Sequence, residues 1–260
     1  MRGSTGAMSS LWMVLLLSLL PGAGNFVGGM VAEFWKTSPR LLNWALHAAS
    51  GIVIAIVAVE LMPEALGSLA GGWIALAFAC GGVAYVLLES LIKWLQRGSD
   101  GSSRIRMWMI YAAVAVDLTS DGLMIGTGSA ISSSLALALA AGQVLADVPE
   151  GYATVANFRD KDVPRGKRIL FSASFFIYVL GAALLSYFLL RSAPEALKMA
   201  ALVFVAGLLT VAAVEDMLEE AHGAREDSRR SVLAFIGGFA LFTLVSAGLE
   251  AIAGGGKGAG

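Results

Sequence analysis

Eight long apolar stretches follow one another along the chain: Leu11–Phe34, Leu41–Leu66, Gly71–Leu95, Ile105–Gly126, Ser132–Phe158, Arg168–Leu190, Glu195–Ala221 and Ser231–Ile252. A helix that spans a bilayer needs about 20 predominantly apolar residues, and each stretch meets that length. The links between them are short and hold the Pro, Ser and charged residues that interrupt an apolar run. Apolar character on every side, rather than a single stripe, is the pattern of helices buried in a bundle or in lipid. The pattern predicts an all-α polytopic membrane protein with one transmembrane domain over 11–253. Residues 1–10 are expected to form a leader or disordered tail, and the glycine-rich stretch 254–260 a disordered tail. Leu11–Leu20, followed by Pro21 and Ala23, also fits the apolar core of a signal peptide; continued apolarity through Val31 favours a first span.

Composition agrees. Of the 260 residues, 57% are hydrophobic and 14% charged, against about 25% charged in an ordinary soluble domain. A single cysteine, Cys80, excludes an internal disulfide and a cysteine metal cluster. Two histidines, His47 and His222, restrict imidazole ligation as strongly, so any metal site must be built mainly from oxygen. There is no phosphate-binding loop, nucleophile triad or nucleic-acid patch, so neither an enzyme nor a nucleic-acid partner is expected. No cofactor is expected either.

Charge sets the orientation. The odd-numbered links and their flanks hold Lys36 and Arg40, then Lys93, Arg97, Arg104 and Arg106, then Arg159, Lys161, Arg165, Lys167 and Arg168, then Arg225, Arg229 and Arg230. The opposite face has Arg2, Arg191, Lys198 and Lys257. The positive-inside bias then puts both termini on the non-cytoplasmic side of the cell (inner) membrane.

An offset of 156 residues brings Gly51 onto Gly207, Glu60 onto Asp216, Glu64 onto Glu220, Gly81 onto Gly237 and Gly82 onto Gly238. Helices 2 and 3 therefore match helices 7 and 8, and helix 1 falls on helix 6 by position. Matching helices five apart cross in opposite directions, which makes an inverted repeat of 1–3 against 6–8, a 3+2+3 arrangement. Such repeats recur in transporters, with substrate near the midplane. Chance likeness between Gly- and Ala-rich apolar helices is the alternative.

Helices 4 and 5 carry the candidate chemistry. They hold Asp117, Asp121, Asp147 and Glu150, and no Lys, Arg or His occurs between Arg106 and Arg159. Intramembrane acids are costly and usually face a bundle interior or an aqueous path. Asp117 and Asp121 are four apart and share a helical face; Asp147 and Glu150, three apart, share another with Gln143. Counting from a turn near Ala130, Asp117 and Gln143 fall at one depth, with Asp147 and Glu150 deeper unless Pro149 or a shifted helix end raises them. Crowded carboxylates in low dielectric hold protons that a divalent cation displaces. The alternative is a set of protonated acids hydrogen-bonded to Thr119, Ser120 or Gln143. Glu60 and Glu64 at the outer end of helix 2 are candidates to attract cations, and Asp216, Glu219, Glu220 and His222 at the inner end of helix 7 to receive them. Solvated helix ends explain both clusters equally well. His47 reads as a packing or hydrogen-bonding residue.

The run Asp117-Leu118-Thr119-Ser120-Asp121-Gly122 resembles the fourth-helix His-Asn-x-x-(Asp/Glu)-Gly motif of the ZIP family of divalent-metal transporters. Ala146-Asp147-Val148-Pro149-Glu150-Gly151 resembles that family's fifth-helix (His/Gln)-(Glu/Asp/Asn)-x-Pro-(His/Glu) motif, and Leu61-Met62-Pro63-Glu64-Ala65 the Leu-Pro-Glu-Ala end of its second helix. The resemblance implies a carrier that moves a divalent cation (zinc, manganese, iron or similar) into the cytoplasm by alternating access, with helices 2, 4, 5 and 7 lining the path. It implies metal ligation by Asp117, Asp121, Gln143, Asp147 and Glu150. Asp117, Leu118 and Ala146 replace His, Asn and His/Gln of the motifs, and Tyr178-Val179 stands where the family has a sixth-helix acid. Loss of nitrogen ligands shifts preference toward harder ions such as manganese, magnesium, calcium or ferrous iron, although carboxylates also bind zinc. The alternatives are a proton-coupled carrier of a non-metal solute and a membrane metal-binding sensor or scaffold without transport. The expected partners are the divalent metal ion and the lipid bilayer, with a homodimer left open.

Overall fold

The structure, a computed structural model, describes residues 3–96, 103–217 and 228–255. These residues form eight long helices and no strand. Helix α1 is Gly3–Phe34, and α2 runs Pro39–Leu66. Ser38 caps α2 by accepting the Leu41 N–H at 3.3 Å, and Pro39 takes the first turn, where a missing N–H costs nothing. Within α2 the turn Ile56–Leu61 is π-helical. Pro63 lies just beyond it; having no N–H for the Val59 carbonyl, and crowding it, it favours a widened turn there. Helices α3 (Gly71–Gln96), α4 (Ser103–Ile131), α5 (Ser133–Asp160) and α6 (Arg165–Leu190) follow. Helix α7 is Glu195–Ala212 and continues in a second π-helical turn, Ala213–Met217; α8 is Ser228–Gly255.

Seven of the eight are long and apolar enough to cross a membrane. The exception is α5, which is lined on several sides by α1, α2, α4, α6 and α8 and so need not present an apolar surface to lipid. At the periphery, α3 and α8 turn Leu76, Val83 and Leu87, and Leu233, Ile236 and Leu244, outward. Exposed side chains of that kind on long helices belong against hydrocarbon. The chain is a multi-pass membrane protein.

Glycine decides which helices touch. A Cβ at Gly28 of α1 would stand 1.9 Å from the Val148 carbonyl oxygen of α5, and one at Gly151 of α5 would stand 1.9 Å from the Asn25 carbonyl oxygen of α1. On α4, a Cβ at Gly122 would be 2.3 Å from the Val179 carbonyl of α6. Gly51 of α2 meets Phe235 of α8, and Gly207 of α7 meets Phe78 of α3, in the same manner, each with 2.0 Å to a carbonyl oxygen. Close approach of this kind lets dispersion drive helix association where lipid supplies no hydrophobic force. The helices fall into two groups, α1/α4/α5/α6 and α2/α3/α7/α8, which meet along α2–α5 and α4–α7.

Helix α4 continues through Thr127–Ala130, five residues past the break expected at Gly126, and only Ser132 separates it from α5. Gly126 does not end the helix because it is a packing residue: its Cβ position lies 2.0 Å from Ser186 Oγ of α6. Ser132 turns the chain in extended conformation and accepts the Leu135 N–H at 3.1 Å. At the opposite end, Arg168 donates to both carboxylate oxygens of Glu33 at the end of α1, reaching Oε2 at 2.7 Å. Arg159 of α5 donates to the Ala32 carbonyl at 2.7 Å. Tyr152 Oη accepts the Thr37 N–H and donates to the Trp35 carbonyl, tying the first link to α5.

Replacing Gly28 or Gly51 with Ala forces backbone against backbone and is expected to cost about 1–3 kcal/mol or more. Ala at Gly181 or Gly237, where nothing lies within 4 Å, is expected to gain up to about 1 kcal/mol from helix propensity. Thermal unfolding of the purified variants in one detergent separates the two groups.

Candidate metal site between helices 4 and 5

With the turn at Ser132, Asp117 and Asp147 stand fifteen residues on either side of it, and Asp121 and Gln143 eleven. At 1.5 Å per residue the two rungs lie about 22 Å and 16 Å from the turn. The expected pairing of Asp117 with Gln143, counted from Ala130, is therefore corrected: the turn lies two residues later, which moves the partner of Asp117 by four. Gln143 Nε2 donates to Asp121 Oδ1 instead, and Asp147 comes level with Asp117. Nor do Asp147 and Glu150 lie out of reach: the Asp117 and Glu150 carboxyls hydrogen-bond to each other. All five candidate ligands converge.

Oxygens of Asp117, Asp121 and Asp147 lie within 4.8 Å of one another, and all three residues are buried. Two oxygens on opposite sides of a divalent ion, each at 2.0–2.6 Å, are about 4–5 Å apart, so one ion can bridge the three. Asp117 Oδ2, Asp121 Oδ2, both Asp147 oxygens and Gln143 Oε1 are buried without a hydrogen-bond partner. Buried polar atoms normally find partners, and five orphaned oxygens in one place fit a cation as the missing group. The charges acting on Asp121 and Asp147 come from neighbouring acids alone. Among the described residues no Lys or Arg pairs with Asp117, Asp121 or Asp147.

The hydroxyls expected to satisfy protonated acids donate elsewhere. Thr119 Oγ1 donates to the Ala115 carbonyl at 2.6 Å, and Ser120 Oγ to the Val116 carbonyl at 2.9 Å, each one turn back on α4. Two of the residues that depart from the motifs, Leu118 and Ala146, are core residues. Leu118 is fully buried against Phe175 and Val179, and Ala146 belongs to the main apolar core. Val179 backs onto Gly122, while Tyr178 turns outward and accepts a hydrogen bond from Tyr111 Oη at 3.3 Å. Neither α6 residue brings an acid to the cluster.

Glu60 and Glu64 do not reach these acids. They line a cleft of about 450 Å³ at the Ser132 end, with Ser132, Ser134, Ser246 and Glu250, and Ser246 Oγ donates to Glu60. The place of Glu250 in the cleft comes from α8 packing on α2. Asp216 falls in the second π-helical turn, its side chain outside the described residues; Glu219, Glu220 and His222 lie outside them altogether. His47 is buried, with Nδ1 at 2.9 Å from the Asn43 carbonyl, and lies on a structural helix turn.

No family model matches the chain. It is 32% identical over 149 residues to the zinc transporter ZupT of Akkermansia muciniphila, a match covering 48% of this chain and 55% of that protein. It is 26% identical over 141 residues to the zinc transporter ZupT of Chlorobium limicola, covering 45% and 53%. These matches support a ZIP-family assignment. The chain spans just over half the length of the two relatives. The helix-4 and helix-5 motifs, read separately from sequence, face each other across one hairpin.

Asp147→Asn removes one charge from the cluster and keeps the shape. It is expected to raise the unfolding temperature without metal, because like-charge repulsion falls, and to shrink the stabilisation that added divalent cation gives the wild type. Thermal unfolding with and without Mn2+ or Zn2+ measures both changes.

Proposed function

We propose that this protein carries a divalent metal cation into the cytoplasm by alternating access, through the site formed by Asp117, Asp121, Gln143, Asp147 and Glu150. The observation that carries this reading is the set of converging buried oxygens with no Lys or Arg paired to Asp117, Asp121 or Asp147 among the described residues. The two relatives named as zinc transporters support it. A carboxylate-rich set with a single amide also suits manganese or ferrous iron. The cleft holding Glu60 and Glu64 offers cations a way in, and Asp216, Glu219, Glu220 and His222 a way out.

The 3+2+3 inverted repeat belongs to the same proposal, and the packing supports it. Exchanging α1 with α6, α2 with α7, α3 with α8 and α4 with α5 maps the pair α1–α5 onto α6–α4. It maps α2–α8 onto α7–α3, and α2–α5 onto α7–α4. The π-helical turns Ile56–Leu61 and Ala213–Met217 coincide at the offset of 156. Gly51 against Phe235 then answers to Gly207 against Phe78. In this reading one helix group moves against the other around the bound ion.

Uptake into proteoliposomes tests the function. Divalent-cation uptake is expected to fall at least tenfold in Asp121→Ala and in Glu150→Ala, as loss of a ligand from a metal site costs about that much or more. A competition series with zinc, manganese, cadmium, iron and magnesium ranks the ions; dominance of zinc and cadmium would overturn the harder-ion preference. Solute flux driven by pH without metal flux would favour a proton-coupled carrier, and binding without flux a sensor. Orientation is checked by C-terminal fusions: a periplasmic reporter is expected to be active, and a cytoplasmic one inactive.

A further inference from the structure

We propose that Asn25 of α1 supplies an amide oxygen to the cation held by α4 and α5, so that three helices enclose the ion. The inference rests on the metal-site reading above. Asn25 is 1% exposed in the interior of an apolar span, and neither Oδ1 nor Nδ2 has a hydrogen-bond partner. A buried amide with both ends unsatisfied is costly and rare in a native interior.

Its position explains what it lacks. Helix α1 runs beside α5 in the same direction: Gly24 lies over Val144 and Asp147, and Gly28 over Val148 and Tyr152. A Cβ at Gly24 would be 3.2 Å from the Asp147 Cβ, and one at Gly151 would be 2.7 Å from the Asn25 Cα. Residue 25 is therefore bracketed on α5 by Asp147 and Gly151, the residue after Glu150. On the other flank of α1, Gly22 meets Phe176 of α6, and Gly29 sits between Val155 of α5 and Ser172 of α6. At 100° per residue, position 25 falls on the arc between the α5-facing and α6-facing glycines, which keeps it from lipid.

The two site helices are backed in parallel ways. Gly122, directly after Asp121, is packed by Val179 of α6, and Gly151, directly after Glu150, by Asn25 of α1. One backing residue is apolar and adds nothing to the cluster; the other carries a free amide. Asp147, its neighbour, has two orphaned oxygens. No hydrogen bond joins the amide to the acids, so a bound ion is the group that links them. The carbonyl Oδ1 would ligate the ion directly, an oxygen ligand that adds no charge to an already acidic site.

Isothermal titration of Mn2+ and of Zn2+ into the purified full-length protein in detergent tests the assignment. Asn25→Ala is expected to weaken binding at least tenfold, whereas Asn25→Asp, which keeps an oxygen at the same place, is expected to bind as the wild type or more tightly. Unchanged affinity in Asn25→Ala overturns the proposal. So does equal weakening in both variants, which would make the amide N–H the working group. If Asn25→Ala does not fold, the near-isosteric Asn25→Asp decides: binding at least as tight as the wild type is the expected result, and weaker binding overturns the proposal. Asp121→Ala separates the levels: binding lost there but kept in Asn25→Ala sinks only the role of Asn25, and binding kept in Asp121→Ala sinks the metal site itself.

Discussion

Carboxylates placed deep in a membrane-spanning bundle repel one another and resist desolvation, and among the described residues no Lys or Arg pairs with Asp117, Asp121 or Asp147. Much of the architecture can be read as accommodation of that cost. Helix α5, the most polar of the eight, is screened from lipid by five neighbours. Helix α4 faces it along a hairpin turned by one serine, so the acids of the two helices meet across two rungs, with Gln143 as the amide that tempers one of them. An arrangement so poorly satisfied on its own is what the proposed cation would complete.

Glycine supplies the precision of that arrangement. The residues that follow the second acid of each motif, Gly122 and Gly151, have flanking helices pressed on their backbones, and α1 returns the contact through Gly24 and Gly28. The site helices are thus held from behind by α6 and α1 at the level of the ligands. A side chain in any of these places would press on the neighbouring helix and spread the pair. The same glycine-to-carbonyl contact recurs between α2 and α8 and between α7 and α3, so both helix groups use one packing device.

The two ends of the bundle differ in sign. Around the Ser132 turn, Glu60, Glu64 and Glu250 share a cleft with three serines. Around the start of α6, Arg159, Arg165 and Arg168 close on Ala32 and Glu33 at the end of α1. The pairing is partly buried, where an ion pair is screened less than at a surface. It anchors α1, which backs the site, to the helix that follows α5. The acidic end and the clasped end lie on opposite sides of the ligands along the helix axes.

Chain order alone determined the helical class, the number of long helices and the two acidic motifs, because a ~30 Å apolar slab imposes length and polarity rules that operate residue by residue. The like-charged makeup of the cluster was equally visible, since charge needs no coordinates. Tertiary structure decided the rest. The register of α4 against α5 shifted by four residues because Gly126, the expected end of the fourth apolar stretch, packs against α6 and the helix runs on to Ile131. The fates of Leu118, Ala146 and Val179 as core residues, and the place of Asn25 beside Asp147, depend on which helix crosses which. A lone amide in an apolar run looks the same whether it faces lipid, a neighbour or a ligand. Helix crossings are set by contacts between residues far apart in the chain, and local periodicity carries no record of them.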